Sequence, residues 1–170
     1  MKNINIIGLL LLVISSTLSA QTIKDYIRND WPDNRYTVHG DGTATDIKTK
    51  LMWKVCSEGQ TWSSPATCSG TATSHNWQQA LELADSASFA SFNDWRLPNI
   101  AELRSLAAKD RYSPAINANV FPNTPSEYFW SSSPGAYSSS YAWIVNFSYG
   151  YDNYDDRYNT YRVRLVRAGQ

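Results

Sequence analysis

The sequence of 170 residues has few ionisable side chains and no excess of either charge sign. Lys and Arg number 15, Asp and Glu also number 15, and charged residues make up only 18%. Proteins that bind nucleic acid usually carry a basic excess that neutralises phosphates. The balance therefore excludes nucleic acid as an expected partner. A hydrophobic content of 42% and an aromatic content of 14% argue equally against intrinsic disorder.

Histidine is scarce, and no side chains suggest a catalytic site. His39 and His75 are the only histidines, and both are isolated among turn-like residues. A hydrolase triad needs a nucleophile, a base and an orienting group, and no such set is visible. Asp155 and Asp156 are adjacent, so in a strand they would point to opposite faces and could not act as an acid–base couple. We therefore expect no enzymatic activity, no catalytic residue and no cofactor.

Long hydrophobic runs are absent beyond the first twenty residues. Residues 4–14 are mostly apolar, follow a basic start, and lead into small residues that end at Ala20. This pattern predicts a secretory signal peptide over residues 1–20. The alternative is a membrane anchor, but the run is short of the roughly 20 residues that span a bilayer. We expect a secreted, periplasmic or outer-surface bacterial protein with no transmembrane segment after cleavage.

Cysteine is limited to Cys56 and Cys68. An even number of cysteines in an exported chain predicts a disulfide. The alternative, a metal-binding thiol, would need further Cys or His at ligand spacing, so we expect no metal site. One possibility stays open, an adventitious calcium ion near Asp152, Asp155 and Asp156, because calcium needs several oxygen ligands.

The N-terminal part of the mature chain predicts a β-meander. A polar lead-in over residues 21–35 precedes a domain over residues 36–168. Three short strands are indicated at 36–38, 43–46 and 51–55, separated by Gly/Asp-rich and Lys/Thr turn signals. The Ser/Thr/Gly/Pro-rich segment that follows predicts an irregular loop containing both cysteines.

Two helices are predicted after this loop. The first would be capped by Thr73 or Ser74, and its apolar residues recur at helical spacing at Trp77, Leu81 and Ala84. The second has a stronger signal, because Asn99 and Glu102 have the spacing of a capping box. Its buried stripe would be Ile100, Leu103, Leu106 and Ala107.

Beyond residue 112 the helical periodicity disappears and strands are predicted at 129–131, 141–147 and 162–167. In the last of these, Val163 and Leu165 are expected to point inward, and Arg162, Arg164 and Arg167 outward. Strands, then two helices, then strands predict an α+β fold in which helices pack to one side of an antiparallel sheet.

Several motifs together resemble the Lcl C-terminal domain family, named for a collagen-like bacterial adhesin and long described as a domain of unknown function. The motifs are Leu51-Met52-Trp53, Asp94-Trp95-Arg96-Leu97-Pro98-Asn99, Phe129-Trp130-Ser131-Ser132-Ser133 and Val163-Arg164-Leu165-Val166-Arg167. The resemblance implies a C-type lectin-like fold whose N- and C-terminal strands share a sheet. The chain departs from the family pattern at Lys50, where glycine is common, so we expect a slightly different turn there.

The resemblance does not settle function, because this fold carries binding proteins and a few enzymes. Formylglycine-generating relatives are copper-dependent and use late cysteines, whereas both cysteines here lie early. The Glu-Pro-Asn, Gln-Pro-Asp and Trp-Asn-Asp motifs of calcium-dependent lectins are absent. A catalytic relative is therefore the least favoured alternative.

The C-terminal part is rich in tyrosine, with seven of the eleven tyrosines between residues 137 and 161. They alternate with Ser, Asn, Asp and one Arg, which is the composition of binding loops, since tyrosine offers rigid contact area and small polar residues offer hydrogen bonds. The alternative is a solvated aromatic hairpin. The predicted ligand-binding residues are Tyr137, Tyr141, Tyr149, Tyr151, Asp152, Asn153, Tyr154, Asp155, Arg157, Tyr158 and Asn159. The predicted supporting core is Trp53, Trp77, Trp95, Trp130, Trp143 and Phe147.

A second compositional feature concerns residues 128–169, which contain no Lys, Glu, Gln or Met. Variable proteins of diversity-generating retroelements resemble this family in fold, and their adenine-directed mutagenesis of Asn codons cannot produce those residues or Trp. The segment from Tyr149 to Tyr161 resembles such a product. The alternative is ordinary loop composition in a protein that does not vary.

These observations favour an exported ligand-binding module, similar to a surface receptor or adhesin, whose partner is a protein or glycan on a cell surface. The adhesin relative implies a sulfated glycan, which would need a basic groove. The predicted surface has Arg157 against three aspartates, so we prefer a protein or neutral glycan. An oligomer is possible, and a structural envelope domain without a ligand is the main alternative.

Overall fold

The computed structural model describes residues 21–63, 67–136 and 138–169. The predicted signal peptide and Tyr137 lie outside the described residues. The elements, in chain order, are β1 Thr22–Ile23, a 3-10 helix Asp33–Arg35, β2 Tyr36–Val38, β3 Thr43–Asp46, β4 Leu51–Lys54, β5 Thr61–Ser63, β6 Thr67–Ser69, β7 Ser74–His75, α1 Trp77–Asp85, α2 Ile100–Ser105, β8 Arg111–Tyr112, β9 Tyr128–Pro134, β10 Tyr141–Asn146, β11 Tyr151–Asp156, β12 Tyr161–Arg162 and β13 Val166–Ala168.

The predicted meander forms most of a four-stranded antiparallel sheet with the order β13-β4-β3-β2. The C-terminal strand completes it, with Val166 opposite Trp53. The two ends of the domain therefore share one sheet, as the resemblance implied. With mostly antiparallel sheets, two helices and one disulfide, the α+β prediction is confirmed.

A second sheet carries the tyrosine-rich segment. Its order is β11-β10-β9-β12-β7, which places β11 at one edge. The pairs β9–β10 and β10–β11 are antiparallel, while β12 runs parallel to β9. Buried residues of both sheets and of α2 form one core cluster, and α1 with the segment around Trp95 forms another against the opposite side of the second sheet.

Both predicted helices are present, but the cap of α1 differs from the prediction. Asn76 is the N-cap, and it forms a capping box with Gln79. Ser74, one of the predicted caps, instead lies in β7, where it pairs with Arg162 of β12. The capping box of Asn99 and Glu102 is confirmed. A cap followed by Gln or Glu three positions later marks both helix starts correctly.

The predicted disulfide joins Cys56 and Cys68, and both are buried in the core. The loop that it closes is more regular than its composition indicates. It contains the hairpin of β5 and β6, in which Trp62 lies opposite Cys68. The hairpin side chains are mostly Ser and Thr, so no apolar alternation could reveal these strands.

The outward orientation predicted for the C-terminal arginines is wrong for two of them. Arg164 is fully buried, and Arg167 is only 5% exposed. Arg167 lies 3.8 Å from the ring centroid of Phe92 and forms an ion pair with Asp94 at 2.6 Å. This hydrogen bond holds the pKa of Asp94 below its usual value. Both sides of the segment are covered by protein, so alternation along it does not separate core from solvent.

The turn before β4 contains the departure from the family pattern. Lys50 has a φ of 60°, so the lysine itself adopts the left-handed conformation that glycine favours. This conformation costs a non-glycine residue roughly 1–2 kcal/mol. The backbone of Gly169 lies against this turn and donates a hydrogen bond to the Lys50 carbonyl at 2.8 Å. This hydrogen bond from the residue that follows β13 therefore holds the turn in place.

The N-terminal lead-in packs on the domain. Thr22 and Ile23 pair with β8, and Arg35 forms a buried ion pair with Asp46 of β3 at 2.6 Å. The burial of both partners opposes their charged forms, but their mutual hydrogen bonds prevail and keep the pKa of Asp46 lowered. In the described part of the chain, no helix is long and apolar enough to cross a bilayer.

Candidate ligand-binding surface

The hairpin of β10 and β11 presents most of the predicted binding residues. Its register places Tyr141 opposite Asp156, and Trp143 opposite Tyr154. Because side chains alternate along a strand, the hairpin has two faces. We call the one that carries Tyr141, Trp143 and Tyr154 the helix-2 face, since α2 packs against this side. The other carries Tyr151 and is called the helix-1 face.

On the helix-2 face three aromatic rings pack edge to face. Tyr154 lies 5.7 Å from Tyr141 and 5.7 Å from Trp143, between ring centroids. Tyr141 is 37% exposed and Tyr154 is 47% exposed. Trp143 is half-buried and belongs to this surface, so its prediction as a core residue is wrong. Edge-to-face packing restrains the rings, so they offer a contact surface with little conformational freedom to lose.

On the helix-1 face Tyr151 belongs to a hydrogen-bonded tyrosine group. Its hydroxyl shares a hydrogen bond of 2.8 Å with that of Tyr128, whose ring packs on Tyr161 at 5.3 Å. The Tyr161 hydroxyl donates to the Asp155 carboxylate. Burial and this hydrogen bond raise the pKa of Tyr161. Partial burial opposes ionisation of Asp155, but the hydrogen bonds from Tyr161 and Asn159 outweigh it and lower the pKa of the carboxyl.

The turn and the loop that flank β11 carry the remaining predicted residues. In the turn, Tyr149 is 62% exposed and stacks on Tyr112 at 6.2 Å. In the loop, Tyr158 is 87% exposed. Arg157 lies in the same loop, with its guanidinium 4.0 Å from the ring centroid of Trp77 at the start of α1. Trp77 is half-buried, so its predicted role as a core residue is only partly correct.

A cleft of about 290 Å³ lies where this loop meets α1. Its lining residues are Asn76, Trp77, Gln78, Ser139, Ser140, Arg157 and Tyr158. The backbone joins the two segments directly, since the Trp77 N–H donates to the Arg157 carbonyl at 3.1 Å. Three of these side chains come from the start of α1, which the sequence did not associate with the tyrosine-rich segment.

The aspartates of β11 are mostly engaged by protein groups. Asp152 on the helix-2 face pairs with Arg104 of α2 at 3.2 Å, while Asp155 on the opposite face accepts from Tyr161 and Asn159. Asp156 accepts from the Tyr158 N–H at 2.9 Å. In residues 21–63, 67–136 and 138–169, no cluster of three His, Cys, Asp or Glu residues could hold a metal ion. The three aspartates thus do not converge on a calcium site.

The edge strand β11 is also protected against pairing with another strand. The N–H of Tyr154 donates to the Asn153 side chain at 2.9 Å, and the N–H of Asp156 donates to the Asp155 side chain at 2.7 Å. An exposed edge offers unpaired backbone groups to other chains. Because neighbouring side chains occupy these two donors, the edge offers fewer free N–H groups to another strand.

The structure therefore brings the predicted residues into one region but not onto one face. Tyr141 and Tyr154 lie on one side of the hairpin, Tyr151, Asn153 and Asp155 on the other. Alternation along the strand carried this information, and the grouping by composition overlooked it. The surface is completed by residues that were not predicted as part of it. Trp77, Gln78 and Tyr112 come from distant parts of the chain, and Tyr128 lies in the neighbouring strand β9, just before the tyrosine-rich segment.

The fold and these motifs place the chain in a known class of domain. Residues 42–167 match the family model of the Lcl C-terminal domain, which covers most of the chain and includes both helices, the disulfide and the tyrosine-rich hairpin. The chain belongs to the Lcl C-terminal domain family, as its motifs indicated. No curated protein matches the sequence.

Proposed function

We propose that this protein is an exported, non-enzymatic module that binds a protein or glycan on a cell surface. The observation that carries the proposal is the group of exposed tyrosines on the edge hairpin and its flanking turn and loop. Tyr149, Tyr151, Tyr154 and Tyr158 are each between 43% and 87% exposed. Rigid aromatic side chains of this kind dominate the energetics of many binding surfaces.

The packing of the tyrosines supports binding over a purely structural role. Buried tyrosines stabilise a fold, whereas Tyr154 keeps about half of its surface in water while its ring is held by Tyr141 and Trp143. Ordering such a ring on binding costs little conformational entropy. Arg157 is the single basic residue among the predicted binding residues, which disfavours a polyanionic ligand such as a sulfated glycan, because several anionic groups would need several cations.

The proposal predicts that truncating the central tyrosines weakens binding strongly without unfolding the protein. For Tyr151→Ala and Tyr154→Ala we expect at least a tenfold loss of affinity, since truncation of a central aromatic residue commonly costs about 2 kcal/mol or more. Binding would be measured on a glycan array and by pull-down from cell surfaces. Tyr26→Ala is the matched control, because Tyr26 is 80% exposed but lies in the lead-in. Full binding by both hairpin variants would favour the structural envelope domain instead.

The variable-protein interpretation is part of the same proposal. Strand β11 is at a sheet edge and its side chains face largely outward, so substitutions there leave the buried core intact. The absence of Lys, Glu, Gln and Met over residues 128–169 fits adenine-directed change. We expect the genome to contain a nearby template repeat that differs from this coding segment at adenines, together with a reverse transcriptase. A genome that lacks both would contradict diversification but leave ligand binding untouched.

A further inference from the structure

We propose that the cleft between α1 and the loop after β11 is a subsite for a sugar acid, a hydroxyl-rich ring bearing a single carboxylate. The inference rests on the proposed binding function and assigns one ligand group to one place on the surface. Three observations carry it: an unneutralised guanidinium held in a fixed orientation, a free backbone donor at the helix start, and a lining of amide and hydroxyl groups.

The guanidinium of Arg157 is positioned by the protein but not neutralised by it. Its Nε donates to the Tyr141 carbonyl at 3.1 Å, and its Cζ lies 4.0 Å from the Trp77 ring centroid. The Trp77 indole is fixed in turn, donating to the Ser131 carbonyl at 2.8 Å. Within the described residues, neither terminal nitrogen of Arg157 has a hydrogen-bond or ion-pair partner. Such a restrained fork suits a carboxylate, which can accept two parallel hydrogen bonds.

The start of α1 adds a second anion-binding element beside this arginine. The N–H of Trp77 is taken by the Arg157 carbonyl, and that of Gln79 by the Asn76 side chain. The N–H of Gln78, which lies between them, has no acceptor among the described residues. Free N–H groups at a helix start favour bound anions. Arg157 and Gln78 therefore place positive charge and a backbone donor around the same cleft.

Two larger grooves on the molecule make the contrast clear, because each contains an arginine that already has a partner. A groove of about 620 Å³ contains Arg96, which is paired with Glu102 at 2.7 Å. Another of about 820 Å³ contains Arg162, which is paired with Glu127 at 2.8 Å. An anion there would have to displace a carboxylate of the protein. In the smaller cleft no such competitor is present among the described residues.

The other lining groups indicate a hydroxyl-rich ligand. Ser139 and Ser140 offer hydroxyls. The amide nitrogen of Gln78 donates to Glu82 at 2.8 Å, while its amide oxygen has no partner within the part of the chain that the structure describes. Tyr158, almost fully exposed at the rim, provides a ring for an apolar sugar face. A single arginine beside the aspartates of β11 favours one carboxylate over a polyanion. A sugar acid combines these requirements.

Titration of the purified protein with sodium D-glucuronate, followed by the indole N–H signals in NMR, tests the inference. We expect glucuronate to shift the Trp77 signal and to bind at least tenfold more tightly than D-glucose or acetate. In Arg157→Gln the affinity for glucuronate should fall at least tenfold. In Arg104→Gln, the matched control on the helix-2 face, it should not change. Gln78→Ala keeps the arginine, so it should lower the affinity for glucuronate several-fold and leave the affinity for acetate unchanged.

Several results would overturn the inference. Unchanged glucuronate binding by Arg157→Gln would show that the arginine does not contact the ligand. Equal affinity for glucuronate and glucose would show that the carboxylate is not recognised. Equal affinity for glucuronate and acetate would show that the sugar ring is not recognised. Displacement of glucuronate by dextran sulfate with a higher affinity would indicate a site for polyanions. The proposed function is judged separately, because the Tyr151 and Tyr154 variants test partner capture, which can persist when glucuronate does not bind.

Discussion

Arg164→Ala is expected to lower the free energy of unfolding by about 4 kcal/mol, the largest effect of any single substitution considered for this protein. The guanidinium is fully buried, donates to the carbonyls of Lys54 and Val55, and reaches the hydroxyl of Thr124 at 2.7 Å. Burial lowers its pKa to about 9, so it remains charged at neutral pH. Truncation leaves a cavity beside Phe121. It also leaves several buried acceptors without a donor, at a cost of about 1–3 kcal/mol each. These losses should exceed the gain from no longer burying a charged group.

Two further variants separate the causes of that loss. Arg164→Met refills much of the volume but supplies no donor, so its stability relative to Arg164→Ala measures packing alone. Arg28→Ala is the control, because the Arg28 side chain is 85% exposed and its ion pair with Asp30 should contribute about 1 kcal/mol or less. Urea unfolding followed by tryptophan fluorescence gives all three values. A loss below about 1 kcal/mol for Arg164→Ala would show that these hydrogen bonds contribute nothing net.

The buried arginine also shows where prediction from sequence fails. Alternation correctly placed Val163 and Leu165 in the core, and it placed Arg164 outside by the same rule. The rule holds for a strand with one wet face. The strand predicted at 162–167 is instead divided between β12 and β13, which belong to different sheets, and residues 163–165 connect them. Protein covers Arg164 as well, and the two carbonyls that accept its hydrogen bonds belong to residues more than a hundred positions earlier. No local pattern contains that information.

Local signals, by contrast, identified the elements that depend on local chemistry. The capping box at Asn99 and Glu102 requires only residues three positions apart, and it forms as expected. The same chemistry caps α1 at Asn76, and the prediction missed it only by preferring the preceding Thr73 and Ser74. Short strands of β5 and β6 carry no apolar alternation and are held by the disulfide, so they could not be predicted.

The candidate surface likewise has one part that the sequence located and one part that it did not. Tyrosine content located the hairpin, because composition is a property of a contiguous segment. The cleft could not be located, because it depends on contacts between Trp77 and Arg157, eighty residues apart in sequence. The local balance of charge was likewise misleading, since Asp152 is engaged by Arg104 while Arg157 has no carboxylate partner among the described residues. Charge counted along the sequence is therefore a poor measure of the charge that a ligand meets.

Removing the disulfide, by the double change Cys56→Ala and Cys68→Ala, is expected to lower the free energy of unfolding by about 3 kcal/mol. The bridge joins two cysteines that are 12 positions apart in sequence. Its loss restores the conformational freedom of the intervening loop in the unfolded chain. A more expanded unfolded state should also steepen the denaturant dependence. Ser69→Ala, an exposed change beside Cys68 in β6, removes only a long hydrogen bond of 3.3 Å to the Thr61 carbonyl, so it should lower the free energy of unfolding by about 1 kcal/mol or less and leave the denaturant dependence unchanged. A double variant as stable as the wild type would show that the buried core around Cys56 holds the β5–β6 hairpin without the covalent bond.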